Sequence, residues 1–176
     1  MVYDPILVPP PHPAALEDIA LLKQCSTSFG NSSGPGGQHR NRRSTAATLV
    51  HEATGVHGSA TERRNQGQNR SVALRRLRLR LALKVRTKGR FTGVSILWEA
   101  RRQGKQMSIN PRHKDYPTLL AEALDCINAH RWDVAKSAGS LGISMSQLTK
   151  LLRHHPAALT QVNQHRDDLG LPRLRR

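Results

Sequence analysis

Aromatic side chains are almost missing from this chain of 176 residues, which holds two Trp, two Tyr and two Phe. Its core must therefore be built from Leu, Val, Ile and Ala. Acidic residues are scarce as well, 12 against 28 Lys and Arg, which leaves a formal charge of +16. A surplus of that size on so short a chain predicts a polyanionic partner, nucleic acid first, because cations gain by displacing counterions from phosphates. No apolar run approaches the length that spans a bilayer, so no membrane role is expected. Cys25 and Cys126 are too few for a disulfide scaffold and lack CxxC spacing. The nine histidines are scattered, with no HExxH pattern and no Cys–His cluster, so neither a metal nor another cofactor is expected. The first cation is Lys23, which speaks against a secretory or transit leader and predicts a reduced, cytoplasmic protein.

What is present divides the chain. Residues 1–13 carry Pro5, Pro9, Pro10, Pro11 and Pro13 and predict a flexible Pro-rich tail. Leu16, Ile19, Leu22 and Cys25 then recur at near-helical spacing. Residues 30–37 form a loop on composition alone. Thr45–His51 and Val56–Thr61 read as strands around a Thr54-Gly55 turn. Residues 66–87 read two ways. Leu77 to Val85 alternates apolar and polar like a strand, yet Leu74, Leu77, Leu81 and Val85 make a helical stripe of strong helix formers. The length favours a helix, flanked by Arg75, Arg76, Arg78, Arg80, Lys84 and Arg86.

Residues 91–115 connect to a helical stretch over 116–176. In the connecting segment Val94–Trp98 fits strand or short helix, and Gln103-Gly104 is a turn. A helix after Pro117 would bury Leu120, Ala123, Leu124 and Ile127. Asp133–Leu141 and Ser144–Leu152 follow across a Gly142-Ile143 break, and Ser144 with Gln147 has the form of a capping box. Trp98 and Trp132 read as core residues. The expected fold class is α+β, with a hairpin-containing sheet and a long basic helix over residues 14–90 and an all-helical extension beyond.

The segment that carries chemistry is Ser32-Ser33-Gly34-Pro35-Gly36-Gly37-Gln38-His39-Arg40-Asn41-Arg42-Arg43. Closely spaced glycines open backbone dihedrals closed to other residues and let another molecule approach the amides. An amide side chain follows, then cations. Such a loop suits the presentation of backbone N–H groups to a developing oxyanion or a phosphate.

Gly36-Gly37-Gln38, with Ser33 and Gly34 before and His39 and Asn41 after, resembles the peptidyl-tRNA hydrolase domain of the bacterial class I peptide chain release factors. The register continues through Arg42, Leu49, His51 and Thr54-Gly55 to Arg64-Asn65-Gln66-Gly67-Gln68-Asn69-Arg70, which opens the basic helix. The resemblance covers about residues 25–88. Arg40, Arg43, Ala53 and Asn65 depart from the usual Val, Thr, Pro and Ser, and none of these removes a group the family's chemistry needs. With no room here for the stop-codon-reading domains of a full release factor, the resemblance narrows to short, codon-independent proteins that rescue stalled ribosomes.

The resemblance implies hydrolysis of the ester between a nascent peptide and P-site tRNA in the peptidyl transferase centre of the large ribosomal subunit. Gly36, Gly37 and Gln38 would be catalytic, the Gln38 N–H stabilising the oxyanion or leaving hydroxyl while its side chain shapes a space for water. Gln38 would also be the target of a release-factor glutamine methyltransferase. Arg40, Asn41, Arg42 and Arg43 would meet tRNA or ribosomal RNA, as would Arg64, Gln66, Asn69, Arg70, Arg75 and Arg78. For Arg64, Gln66 and Asn69, capping of the basic helix is an equal alternative; His39 and His51 read as packing residues. A second function remains open. Ala135, Leu141-Gly142-Ile143-Ser144 and Leu148 have helix-turn-helix spacing, and an ordinary helical hairpin has it too. That reading makes the chain a non-enzymatic nucleic-acid binder or a structural component of the ribosome. With Lys150 alone inside its second helix, packing or ribosome docking is favoured over DNA reading.

Overall fold

The computed structural model describes residues 4–30 and 45–175. At its centre lies an antiparallel sheet of β2 (Cys25–Gly30), β3 (Ala46–His51) and β4 (His57–Ala60), with β3 in the middle. Along β3 the buried residues are Ala47, Leu49 and His51, a period of two that turns one face inward. The expected β3–β4 turn is present. Gly55 has φ +66°, and the His51 carbonyl accepts from both Thr54 and Gly55 amides.

Helix α2 (Gln66–Lys84) packs on the inward face, preceded by α1 (Asp18–Lys23) at the start of β2. It buries Ala73, Leu74, Leu77, Leu81 and Ala82, and half-buries Leu79 and Leu83. Sheet lies on one side and helix α4 (Tyr116–Ala129) on the other, so apolar residues on two faces produced the misleading alternation. Gly58 sets the approach of sheet to helix. A Cβ there would stand 2.4 Å from the Ala73 carbonyl oxygen and 2.5 Å from the Leu77 nitrogen, both backbone atoms.

Two expectations are corrected. The helix expected to reach residue 87 stops at Lys84, and Val85–Thr87 continues as strand β5, two of whose three residues are β-branched. The Pro-rich start is not a loose tail. Its proline-free stretch β1 (Ile6–Val8) pairs in parallel with β5, in register Ile6↔Val85 to Val8↔Thr87. His12 is buried behind it, with Nε2 3.2 Å from the Val85 carbonyl oxygen and Nδ1 accepting the Ala14 amide, at the start of a 3-10 turn (Pro13–Ala15). Burial holds the His12 imidazole down to about 4, and it is neutral at physiological pH.

The connecting segment forms α3 (Ile96–Arg101), capped by Ser95 Oγ, and a hairpin of β6 (Arg102–Gln103) and β7 (Gln106–Met107) turning at Gly104. Beyond α4 come α5 (Val134–Ser140), α6 (Met145–Arg153) and α7 (Pro156–Asp168). Asp133 and Ser144 cap α5 and α6 through the Lys136 and Gln147 amides. Both tryptophans are buried; Trp98 Nε1 donates to the Leu141 carbonyl at 2.9 Å, and Trp132 stacks on His165 at 3.8 Å. One apolar cluster runs from β3 and α2 into α4 to α7. No helix among the described residues is long and apolar enough to cross a membrane.

Candidate functional site

Gly36, Gly37, Gln38, Arg40, Asn41, Arg42 and Arg43 lie outside the described residues. Their frame is described. Residues 31–44 join β2 to β3, and Gly30 pairs with Ala46, so the segment leaves and returns on neighbouring strands. The strands converge there through six rungs of pairing from Cys25↔His51 to Gly30↔Ala46. At the far end His51 is buried, with Nδ1 2.8 Å from Thr54 Oγ1 and Nε2 3.1 Å from Gln24 Oε1. Burial lowers its proton affinity, so it stands as a neutral packing residue.

The start of α2 lies next to the loop's return. Asn65 caps the helix through the Gln68 amide at 3.2 Å, and Asn69 Nδ2 reaches the Thr45 carbonyl at 2.6 Å. Arg64, Gln66 and Arg70 are exposed here, in accord with a surface role. Arg63 is exposed as well; nothing but its charge marked it in the sequence. The side chains of Arg63, Arg64 and Arg70 form no hydrogen bond or ion pair with other described residues.

Further along α2 the cations are committed to the fold. Arg75 donates to the carbonyls of Pro111 and Arg112. Arg78 is buried, giving 2.8 Å to the Ala14 carbonyl and 2.6 Å to Asp18 Oδ1. Arg76 and Arg80, one helical turn apart, donate to the Ser59 and His57 carbonyls at 2.8 and 2.9 Å. Those carbonyls belong to the edge strand β4, and the guanidinium groups occupy acceptors that another strand would otherwise use. Arg76 also meets Glu62 at 2.6 Å; the Thr61 amide first, with Arg76 a lesser influence, holds that carboxyl below its ordinary range. Asn69, for which helix capping and RNA contact stood as equals, is buried and bonded to the Arg63 and Thr45 backbone; Arg78, expected on RNA, is corrected to a buried residue held by the Ala14 carbonyl and Asp18; and Arg75 is anchored to the segment before α4.

One long helix crosses a sheet face whose first two strands are joined by a long connection. The model of the RF-1 domain matches residues 19–114. The chain belongs to the RF-1 domain family. The match runs from α1 through β7 and stops just before α4. The rat protein named peptide chain release factor 1-like, mitochondrial, is 34% identical over 71 residues, covering 40% of this chain and 19% of that protein. Peptide chain release factor 1 of Lactiplantibacillus plantarum is 42% identical over 59 residues, 34% of this chain and 16% of its own length. The matched stretch thus spans less than a fifth of these curated relatives.

Outside the RF-1 match, α5 and α6 are joined across Gly142 at φ +67°, a connection common to a helix-turn-helix and an ordinary helical hairpin. The turn is covered by the RF-1 domain. The Ser144 amide donates to the Lys105 carbonyl at 3.0 Å, Trp98 holds the Leu141 carbonyl, and a Cβ on Gly142 would stand 3.4 Å from the Arg102 guanidinium. The start of α6, which such motifs insert into a groove, is docked on the β6–β7 hairpin.

Proposed function

We propose that this protein is a ribosome-dependent peptidyl-tRNA hydrolase that frees nascent peptides from stalled ribosomes without reading a stop codon. One observation carries the reading: Gly36-Gly37-Gln38 falls in sequence between β2 and β3 of an RF-1 domain, and Thr45, which follows that stretch, is bonded to Asn69 at the start of α2, where Arg63, Arg64 and Arg70 are exposed. In this reading a water molecule attacks the ester carbon in the peptidyl transferase centre. The tetrahedral oxyanion forms, the ester C–O bond breaks, and the tRNA ribose oxygen leaves with a proton. The Gln38 backbone N–H donates to the developing charge, and one such donor is worth about 3–4 kcal/mol of barrier. Segment 31–44 holds no Asp or Glu, so proton transfer falls to substrate and ribosomal RNA. Arg40, Arg42 and Arg43 together with Arg63, Arg64 and Arg70 hold RNA phosphates, and Gln38 is the candidate site for methylation.

The test is peptide release from ribosomes stalled with an empty A site, a truncated message or a stop codon. Release in the first two states without dependence on the stop codon supports the reading. Release confined to the stop codon returns the protein to codon-dependent termination, and no release in any state overturns the hydrolase. The competing nucleic-acid binder is favoured only by the α5–α6 geometry; retention on duplex DNA without sedimentation with ribosomes would select it.

A further inference from the structure

Between Thr61 and Arg70 every residue is exposed except Asn69, which is fully buried. A buried amide in the first turns of an otherwise solvated helix start has a task that its neighbours lack. Its Oδ1 accepts from the Arg63 amide at 2.9 Å, while Nδ2 donates to the Arg63 carbonyl at 2.8 Å and to the Thr45 carbonyl at 2.6 Å. The amide thus reads both polar groups of Arg63 like a rung of β-sheet and keeps its second N–H for Thr45. The orientation is unambiguous, since the Arg63 N–H only donates and the two carbonyls only accept.

Thr45 is the first described residue after segment 31–44, and Ala46 next to it pairs with Gly30. The returning chain is therefore held from two sides, by strand pairing and by Asn69. We propose that Asn69 is a positioning residue for peptide release, which fixes Thr45, the described residue that follows the Gly-Gly-Gln stretch in sequence, to α2 and to the Arg63 backbone. This rests on the release reading above. Only Asn fits the three partners. Asp keeps the bond from the Arg63 amide but turns a carboxylate onto two carbonyls, and Ala leaves all three groups unsatisfied.

Release at increasing protein concentration, with Asn69→Ala, Asn69→Asp and Leu148→Ala beside wild type, separates positioning from general stability. Leu148 is buried in α6, outside the RF-1 match, so its truncation weakens the fold without touching Thr45. Both Asn69 variants are expected to lower the maximal release rate about ten-fold or more, since small misplacements of reacting groups are costly. Their half-saturating concentrations should stay within about two-fold, and folded Leu148→Ala should keep its maximal rate within about two-fold. Hydrogen exchange at the Thr45 to Thr48 amides should quicken in both Asn69 variants. A wild-type maximal rate in either Asn69 variant, a loss matched by Leu148→Ala, or unchanged exchange would overturn the proposal. If wild type itself releases nothing, the release reading fails, and the exchange result alone decides whether Asn69 holds Thr45.

Discussion

The start of α2 and the remainder of that helix carry the same kind of charge and use it differently. Arg63, Arg64 and Arg70 stand in solvent beside the return of segment 31–44, whereas Arg75, Arg76, Arg78 and Arg80 are each bound to backbone carbonyls. Between Gln38 and Arg90 the chain has fourteen Lys and Arg against Glu52 and Glu62. That surplus is not a count of phosphate contacts. Arg76 and Arg80 close the acceptors of β4, Arg78 ties α2 to the N-terminal turn, and Arg75 joins it to the approach of α4. The guanidinium fork suits this work, because one group satisfies acceptors in fixed geometry without losing its charge.

Stability and salt dependence separate the two parts of the helix. Gly58→Ala has the largest expected effect. The added methyl meets backbone rather than a movable side chain, so β4 must shift off α2 at a cost of about 3 kcal/mol, read as a lowered denaturant midpoint. Arg78→Ala comes next, at about 2 kcal/mol, because it removes a buried guanidinium that bonds both the Ala14 carbonyl, left with Thr118 Oγ1 alone, and Asp18 Oδ1. Ribosome affinity well below the melting point should not change in that variant. Arg63→Glu, Arg64→Glu and Arg70→Glu stand at the other end, each within about 0.5 kcal/mol of wild type in stability. Each should instead weaken ribosome binding and reduce the slope of log affinity against log salt by about 1. A salt slope that drops equally for Arg78→Ala and Arg64→Glu would erase the distinction between the two parts of the helix.

Local pattern made most elements legible. The Thr54-Gly55 turn, the stripe of Leu74, Leu77 and Leu81 (though not its last member, Val85, which lies in β5), and the Ser144 cap are decided within a few residues, and each is present. Contacts distant in sequence were not legible. Nothing between Ile6 and Val8 announces a parallel partner at Val85 to Thr87, and the prolines around it pointed towards a loose tail. For Asn69 the sequence left RNA contact and helix capping as equals; its burial depends on Thr45, brought there by the turn of the sheet. The arginine spacing that closes β4 is equally silent, since Arg76 and Arg80 differ from Arg70 only in what lies opposite. The Gly36-Gly37-Gln38 motif stands out in the sequence because its pattern is local; strand β3 after it was read from alternation, whereas β2 before it, Cys25–Gly30, is largely polar and exposed and was not.

The proposed chemistry stands most directly on Gly37. Peptide release from stalled ribosomes, measured at saturating protein for wild type, Gln38→Ala and Gly37→Ala, separates the backbone from the side chain. A backbone role for this segment predicts partial release with Gln38→Ala, whose amide N–H survives, and a loss of about 10²–10³-fold with Gly37→Ala. Release by Gly37→Ala as fast as wild type would contradict it.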